Sequence, residues 1–83
     1  MWQVYVAETA EKQLKKLPSK DRERIRIALR EMWIDPFAGD ILKIYAARWR
    51  RRVGNYRLVF EIIISAHMVY VFDIKRRTPS TYK

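Results

Sequence analysis

Two long alternating runs, separated by only three residues, constrain this chain more than anything else in it. Tyr56 to Ile64 sets Tyr56, Leu58, Phe60 and Ile62 on one side and Arg57, Val59, Glu61 and Ile63 on the other. Met68 to Lys75 repeats the pattern, with Tyr70, Phe72 and Ile74 set against Val69, Val71, Asp73 and Lys75. A period of two in β-branched and aromatic residues is a strand, and Ser65-Ala66-His67 suits a hairpin loop. One face of this hairpin is fully apolar and must be covered. The other is mixed and carries Arg57, Glu61, Asp73 and Lys75.

The cover is written upstream, in a different period. Glu8 to Leu17 places Ala7, Ala10, Leu14 and Leu17 on one helical face. Leu17-Pro18 ends that helix, because proline disfavours the α region for the residue before it. Ser19 is the expected N-cap of a second helix, with Asp21 in its first turn. There Ile25, Ala28, Leu29, Met32 and Trp33 form one core-facing stripe. Asp35-Pro36 stops it. Trp2 to Val6 reads as an N-terminal strand. Leu42 to Tyr45 opens a strand, and Arg48 to Val53 reads as another strand or its continuation, with Gly54-Asn55 as the turn into the long hairpin. The expected fold is α+β, in the order β-α-α-β-β-β: an antiparallel sheet with a helical hairpin on one face and the other face open. All of it fits one domain, 1–83.

Charge is divided unevenly between the halves. Met1 to Asp40 holds eight Lys/Arg against seven Asp/Glu; Ile41 to Lys83 holds ten against two. Nearly all of the net +9 therefore lies in the sheet-forming half. A single-sign field on a small domain points to a polyanionic partner, most often nucleic acid. The chain has no cysteine, which removes disulfides, thiolate metal sites and cysteine nucleophiles together. It has one histidine, so a paired-histidine ribonuclease site is excluded, and His67 falls in the hairpin loop. Glu61 and Asp73 are thin provision for a catalytic metal. No run is long and apolar enough for a membrane helix, and Met1 to Val6 does not resemble a signal peptide. A cytoplasmic protein with no cofactor is the expectation.

The strand motif Arg52-Val53-Gly54-Asn55-Tyr56-Arg57-Leu58-Val59-Phe60, behind a helical hairpin broken at Lys16-Leu17-Pro18 and closed at Asp35-Pro36, resembles the RelE/ParE toxin superfamily. The likeness extends to Lys75-Arg76-Arg77 followed by Tyr82. It implies a RelE-like fold and a toxin paired with a cognate antitoxin protein. In the RelE branch it implies a ribosome-dependent mRNA interferase, an endoribonuclease that cuts mRNA in the ribosomal A site. The partners would be the antitoxin, the ribosome with its rRNA, and mRNA. The alternatives are a ParE-type inhibitor of DNA gyrase and an inert member that keeps only RNA or antitoxin binding.

Metal-free RNA cleavage uses the 2′-hydroxyl as nucleophile. It requires a base, donors for the phosphorane charge, and an acid for the leaving 5′-oxygen. Arg57, on the open face, is the expected clamp on the scissile phosphate. Arg48, Arg50 and Arg52 alternate onto one face of their strand, while Trp49, Arg51 and Val53 take the other. By spacing to Arg57, Arg48 and Arg50 fall where the RelE branch carries two lysines, one of them assigned as base. Arginine does not deprotonate as lysine can, so Arg50 acts electrostatically or the base lies elsewhere. Arg76, six residues before Tyr82, matches the acid-role arginine of the family, although strand alternation favours Arg77 for the open face. Tyr82 resembles the tyrosine that stacks on a base at the cut. The catalytic candidates are thus Arg57, Arg76, Arg50, Arg48 and Tyr82. Arg52, Lys75, Arg77 and Lys83 are candidates for RNA contact. Tyr45, Tyr56 and Trp49 are expected to be packing residues.

Overall fold

A computed structural model describes residues 1–76. Its strands are β1 (Gln3–Val6), β2 (Ile41–Tyr45), β3 (Arg48–Val53), β4 (Tyr56–Ile63) and β5 (Met68–Arg76). Its helices are α1 (Glu8–Lys15) and α2 (Ser19–Ile34), and a short 3₁₀ turn spans Ile64–Ala66. One sheet contains all five strands in the order β1-β5-β4-β3-β2. The α+β architecture and the covered and open faces follow the sequence expectation; the sheet has one strand more than the expected order, because Ile41–Tyr45 and Arg48–Val53 are separate strands.

The core forms where the two periods meet. Tyr56, Leu58, Phe60 and Ile62 of β4 are buried beside Val69, Val71 and Ile74 of β5. Ala10 and Leu14 of α1, with Ile25, Ala28 and Met32 of α2, close over them. Fully burying a side chain such as Leu58 or Phe60 contributes roughly 1.5–3 kcal/mol. This small set therefore supplies most of the drive to fold.

Five further details depart from expectation. The sheet is mixed, because β1 pairs with β5 in parallel, Gln3 opposite Met68 through Val6 opposite Val71. The two helices between β1 and β2 supply the length that lets β1 join the hairpin at the edge remote from β2. The alternation of β5 also breaks. Phe60 pairs with Val71 and Val59 with Asp73, so Phe72 is an extra residue in a bulge. Val69, Val71 and Ile74 consequently share the core face. The first helix ends at Lys15. Pro18 occupies the N-cap of α2 and makes no side-chain cap, so Ser19 is its first helical residue. Trp33 is 42% exposed, and the core stripe ends at Met32.

Polar side chains of the helices hold the sheet in place. β1 stops opposite Val71, leaving the next part of β5 as an edge with free backbone groups. Helix α1 covers it. The Ile74 amide donates to Gln13 Oε1 at 2.9 Å, Gln13 Nε2 donates to Asp73 Oδ1 at 3.1 Å, and Thr9 Oγ1 donates to the Phe72 carbonyl at 3.4 Å. At the start of β4, the Tyr56 hydroxyl donates to Asp21 Oδ2 at 2.9 Å, tying the strand to the first turn of α2.

That hydroxyl bond raises the Tyr56 pKa above 10.0, with burial and the Asp21 charge acting in the same direction and Arg76 opposing them. The folded value exceeds the unfolded one. The contribution is therefore complete below about pH 10 and is lost as pH rises through the raised folded value. Tyr56→Phe is expected to lower the thermal midpoint at pH 8. It should also flatten the alkaline fall in stability, read by circular-dichroism melts between pH 8 and 11.

Candidate nucleic-acid interface

The strand register assigns each cation to a face. Arg48, Arg50 and Arg52 of β3 stand opposite Glu61, Val59 and Arg57 of β4, and Arg57 stands opposite Lys75 of β5. Leu58, Phe60 and Ile62 are buried under the helices, so these intervening positions lie on the open face. The expected separation of Arg48, Arg50 and Arg52 from Trp49, Arg51 and Val53 holds.

Rows across the sheet define the chemistry of this face. The most basic is Arg52–Arg57–Lys75. Directly opposed side chains have Cβ atoms about 5 Å apart, and like charges there destabilise a sheet. The two outer cations have counterions: Arg52 Nε lies 3.8 Å from Asp40 Oδ2, and Lys75 Nζ lies 3.6 Å from Asp73 Oδ2. Arg57, in the middle, pairs with no carboxylate among the described residues. One strand over, Arg50 also has no ion pair among the described residues, and its Nη1 is buried without a hydrogen-bond partner. Arg57 and Arg50 are thus the open-face arginines without a carboxylate partner, and of the two Arg57 is the exposed one.

Arg48 differs. Its Nε donates to Glu61 Oε2 at 3.3 Å, and its guanidinium lies over the Phe72 ring at 4.5 Å and the Tyr45 ring at 5.7 Å. It is a fixed plane committed to its neighbours. Glu61 is equally committed, and it lies four residues along β4 from Arg57, about 13 Å away. A general base must come within hydrogen-bond reach of its proton, so Glu61 does not serve a phosphate held by Arg57. Asp73 is turned toward α1 by Gln13 and shared with Lys75, rather than standing free on the open face. Among the described residues no three His, Asp or Glu side chains gather as metal ligands would.

The remaining candidates are placed as follows. Arg76 pairs with Tyr56, whose side chain points to the helices, so the described strand does not bring it beside Arg57. Arg77, Tyr82 and Lys83 lie outside the described residues. Of the expected packing residues, Tyr56 is buried and Trp49 packs on the core, but Tyr45 is 60% exposed. His67 adopts a left-handed conformation in the hairpin loop and stacks on Trp2 at 3.9 Å. Sequence reading missed Arg51. It faces the helices with a side chain 11% exposed and is bonded to Glu31. A Cβ at Gly39 would stand 2.6 Å from its guanidinium, so glycine there makes the space it occupies. No helix among the described residues is long and apolar enough to cross a membrane.

No protein-family model and no curated protein sequence matches the chain. Solved structures do. The isolated RelE toxin of E. coli superposes with a TM-score of 0.82 at 24% identity, over 96% of this chain and 88% of that one. A chain of the RelB–RelE antitoxin–toxin complex of Methanococcus jannaschii does so with a TM-score of 0.73 at 28% identity, over 87% and 88%. The YoeB/ParE toxin of Agrobacterium tumefaciens gives 0.75 at 18% identity, over 92% and 99%. These establish the fold.

A cation held between two others costs stability. Arg57→Gln is expected to leave the folded state as stable as the parent or more so, by up to about 1 kcal/mol, because it relieves the like-charge row. Chemical denaturation at low ionic strength checks this, and the difference should shrink as salt is added.

Proposed function

We propose that this chain, which carries the RelE/ParE toxin fold, is the toxin of a toxin–antitoxin pair and a ribosome-dependent endoribonuclease that cuts mRNA in the A site. The observation that carries this reading is Arg57. It is an exposed arginine at the centre of a basic row, kept without a counterion where stability alone would favour a neutral residue. Sites that sacrifice stability in this way are characteristic of function. Similarity in fold to RelE toxins, and to chains from RelB–RelE complexes, supports the toxin assignment.

In this mechanism the ribosome orients the mRNA so that a 2′-hydroxyl lies in line with the adjacent phosphorus. Such positioning contributes several kcal/mol by itself. Arg57 holds the non-bridging oxygens of that phosphate and gains strength as charge builds on them. Arg50, half-buried one row away, adds its positive charge to the field at that phosphate. Arg52 and Lys75 draw in the flanking backbone. Arg48 keeps its stack and does not approach the phosphate. Glu61 lies about 13 Å from Arg57 and Asp73 is held by Gln13 and Lys75, so the base that takes the 2′-hydroxyl proton is supplied by the ribosomal complex. The O2′–P bond forms as the P–O5′ bond breaks, the 5′-oxygen leaves with a proton, and a 2′,3′-cyclic phosphate remains. Free RNA should accordingly be cut slowly. The antitoxin partner would be acidic, since it must neutralise this surface.

Primer extension on mRNA in a translating extract tests the reading. The parent chain should produce new codon-registered ends. Arg57→Ala should reduce them by about 10²-fold, the scale of removing an oxyanion donor, while Lys16→Ala, at the exposed end of α1, should leave them near the parent level. Ribosome binding should fall far less than cleavage in Arg57→Ala, because other cations share that task. Absence of new ends, with inhibition of DNA supercoiling by gyrase, would instead establish the ParE-type activity.

A further inference from the structure

The open face has a second row, at the end of the sheet away from Arg57. Tyr45 pairs with Arg48, Arg48 with Glu61, Glu61 with Tyr70, and Tyr70 with Tyr5. One register line thus crosses all five strands and carries three tyrosines, at 60%, 39% and 49% exposure for Tyr45, Tyr70 and Tyr5. The bulge adds Phe72 to the line. Its ring stacks on Tyr70 with centroids 6.2 Å apart and planes 23° apart, and the Arg48 guanidinium covers it at 4.5 Å. The charge of Arg48 is taken up by Glu61. The exposed part of the row, Tyr45, Tyr70 and Tyr5, is therefore aromatic and carries no net charge.

From this we infer that Tyr70, Phe72 and Tyr45, with Arg48 as a fixed plane between them, form a stacking shelf for unpaired bases of single-stranded RNA. The phosphates of the same strand would lie along Arg50, Arg52, Arg57 and Lys75. The inference rests on the RNA-directed reading above and adds to it a base-binding subsite. Two features select this occupant. The aromatic and basic rows lie on one face, four residues apart along β4, about 13 Å. Neither carboxylate on this part of the sheet is free to repel a polyanion: Glu61 is held by Arg48, and Asp73 by Gln13 and Lys75. An acidic peptide would satisfy the cations but has no matching group for the bare aromatic row. A polynucleotide carries a phosphate and an aromatic base in every repeat. Stacking tolerates any base, so the shelf adds affinity and register without reading sequence.

The test is titration of the whole chain with a short single-stranded oligoribonucleotide carrying a fluorescent adenine analogue, at low and at moderate salt. The parent chain should quench the analogue on binding. Tyr70→Leu should weaken binding by roughly ten-fold, the size of one lost stack, and reduce the quench. Its salt dependence should be unchanged, because no phosphate contact is removed. Tyr45→Leu, at the far end of the row on an exposed edge strand, should act in the same direction. Arg57→Gln should do the opposite, reducing the salt slope and keeping the quench. An oligonucleotide abasic at the analogue's position should bind parent and Tyr70→Leu equally. Equal affinity and quench for parent, Tyr70→Leu and Tyr45→Leu would overturn the inference, as would no binding by the parent. Loss of binding to a co-purified antitoxin by Tyr70→Leu, with oligonucleotide binding intact, would assign the row to a protein partner and also overturn it. Primer extension reports cleavage independently, so failure of the shelf and failure of the nuclease reading are separate results.

Discussion

The β4–β5 hairpin is the contact on which everything else depends. Leu58, Phe60 and Ile62 interlock with Val69, Val71 and Ile74 beneath Ile25, Ala28 and Met32. Because side chains alternate along a strand, burying Leu58 and Phe60 turns Arg57, Val59 and Glu61 outward. Pairing then sets Arg52 and Lys75 on either side of Arg57, and Arg48 opposite Glu61. The basic row has no separate scaffold. Its position follows from which residues of β4 enter the core, so a substitution that loosens the core would also blur the geometry of the face.

Two kinds of arginine on β3 and β4 are separated by their partners rather than by their number. Arg48 and Arg52 are met by Glu61 and Asp40, and Arg51 by Glu31 behind the sheet. Arg50 and Arg57 receive no carboxylate among the described residues. With so few carboxylates in the second half, each is placed where it occupies a neighbour and leaves these two guanidiniums without a counterion. Composition shows an excess of positive charge, but only pairing shows where that excess can be used.

Most of the fold was legible because its signals are periodic. The helical stripe from Ile25 to Met32 and the alternation of β4 each match burial residue by residue. The turn at Gly54-Asn55 was equally clear, but the break between β2 and β3 was not, since Arg48–Val53 also read as a continuation of the strand before it. What escaped was non-periodic or non-local. The Phe72 bulge leaves the composition of β5 unchanged, so nothing in the run marks where the alternation breaks. The parallel pairing of β1 is decided by a partner more than sixty residues away. At the proposed site, the alternation of β4 gave the face on which Arg57 stands. It did not separate Arg48, which is occupied, from Arg50, which has no counterion, because that difference lies in Glu61 across the strand pair. Tyr45 looked like a packing residue for the same reason: β2 is an edge strand, and its outward positions have no cover.

The arginines of β3 also bear on how the sheet reaches its pairing. Sliding this strand by one residue against β4 would turn Arg48, Arg50 and Arg52 toward the helices. That side has one seat for a guanidinium, built from Glu31 and the vacancy at Gly39, and Arg51 fills it. The slip also turns Arg51 outward and vacates that seat, so one of the three incoming cations is received and the other two would be desolvated without a partner, at a cost of several kcal/mol each. A misaligned hairpin is therefore rejected by the same residues proposed to hold RNA. Neutralising them to disarm the protein would also remove its protection against mispairing, so multiply substituted variants should fold less faithfully than their native-state stability suggests.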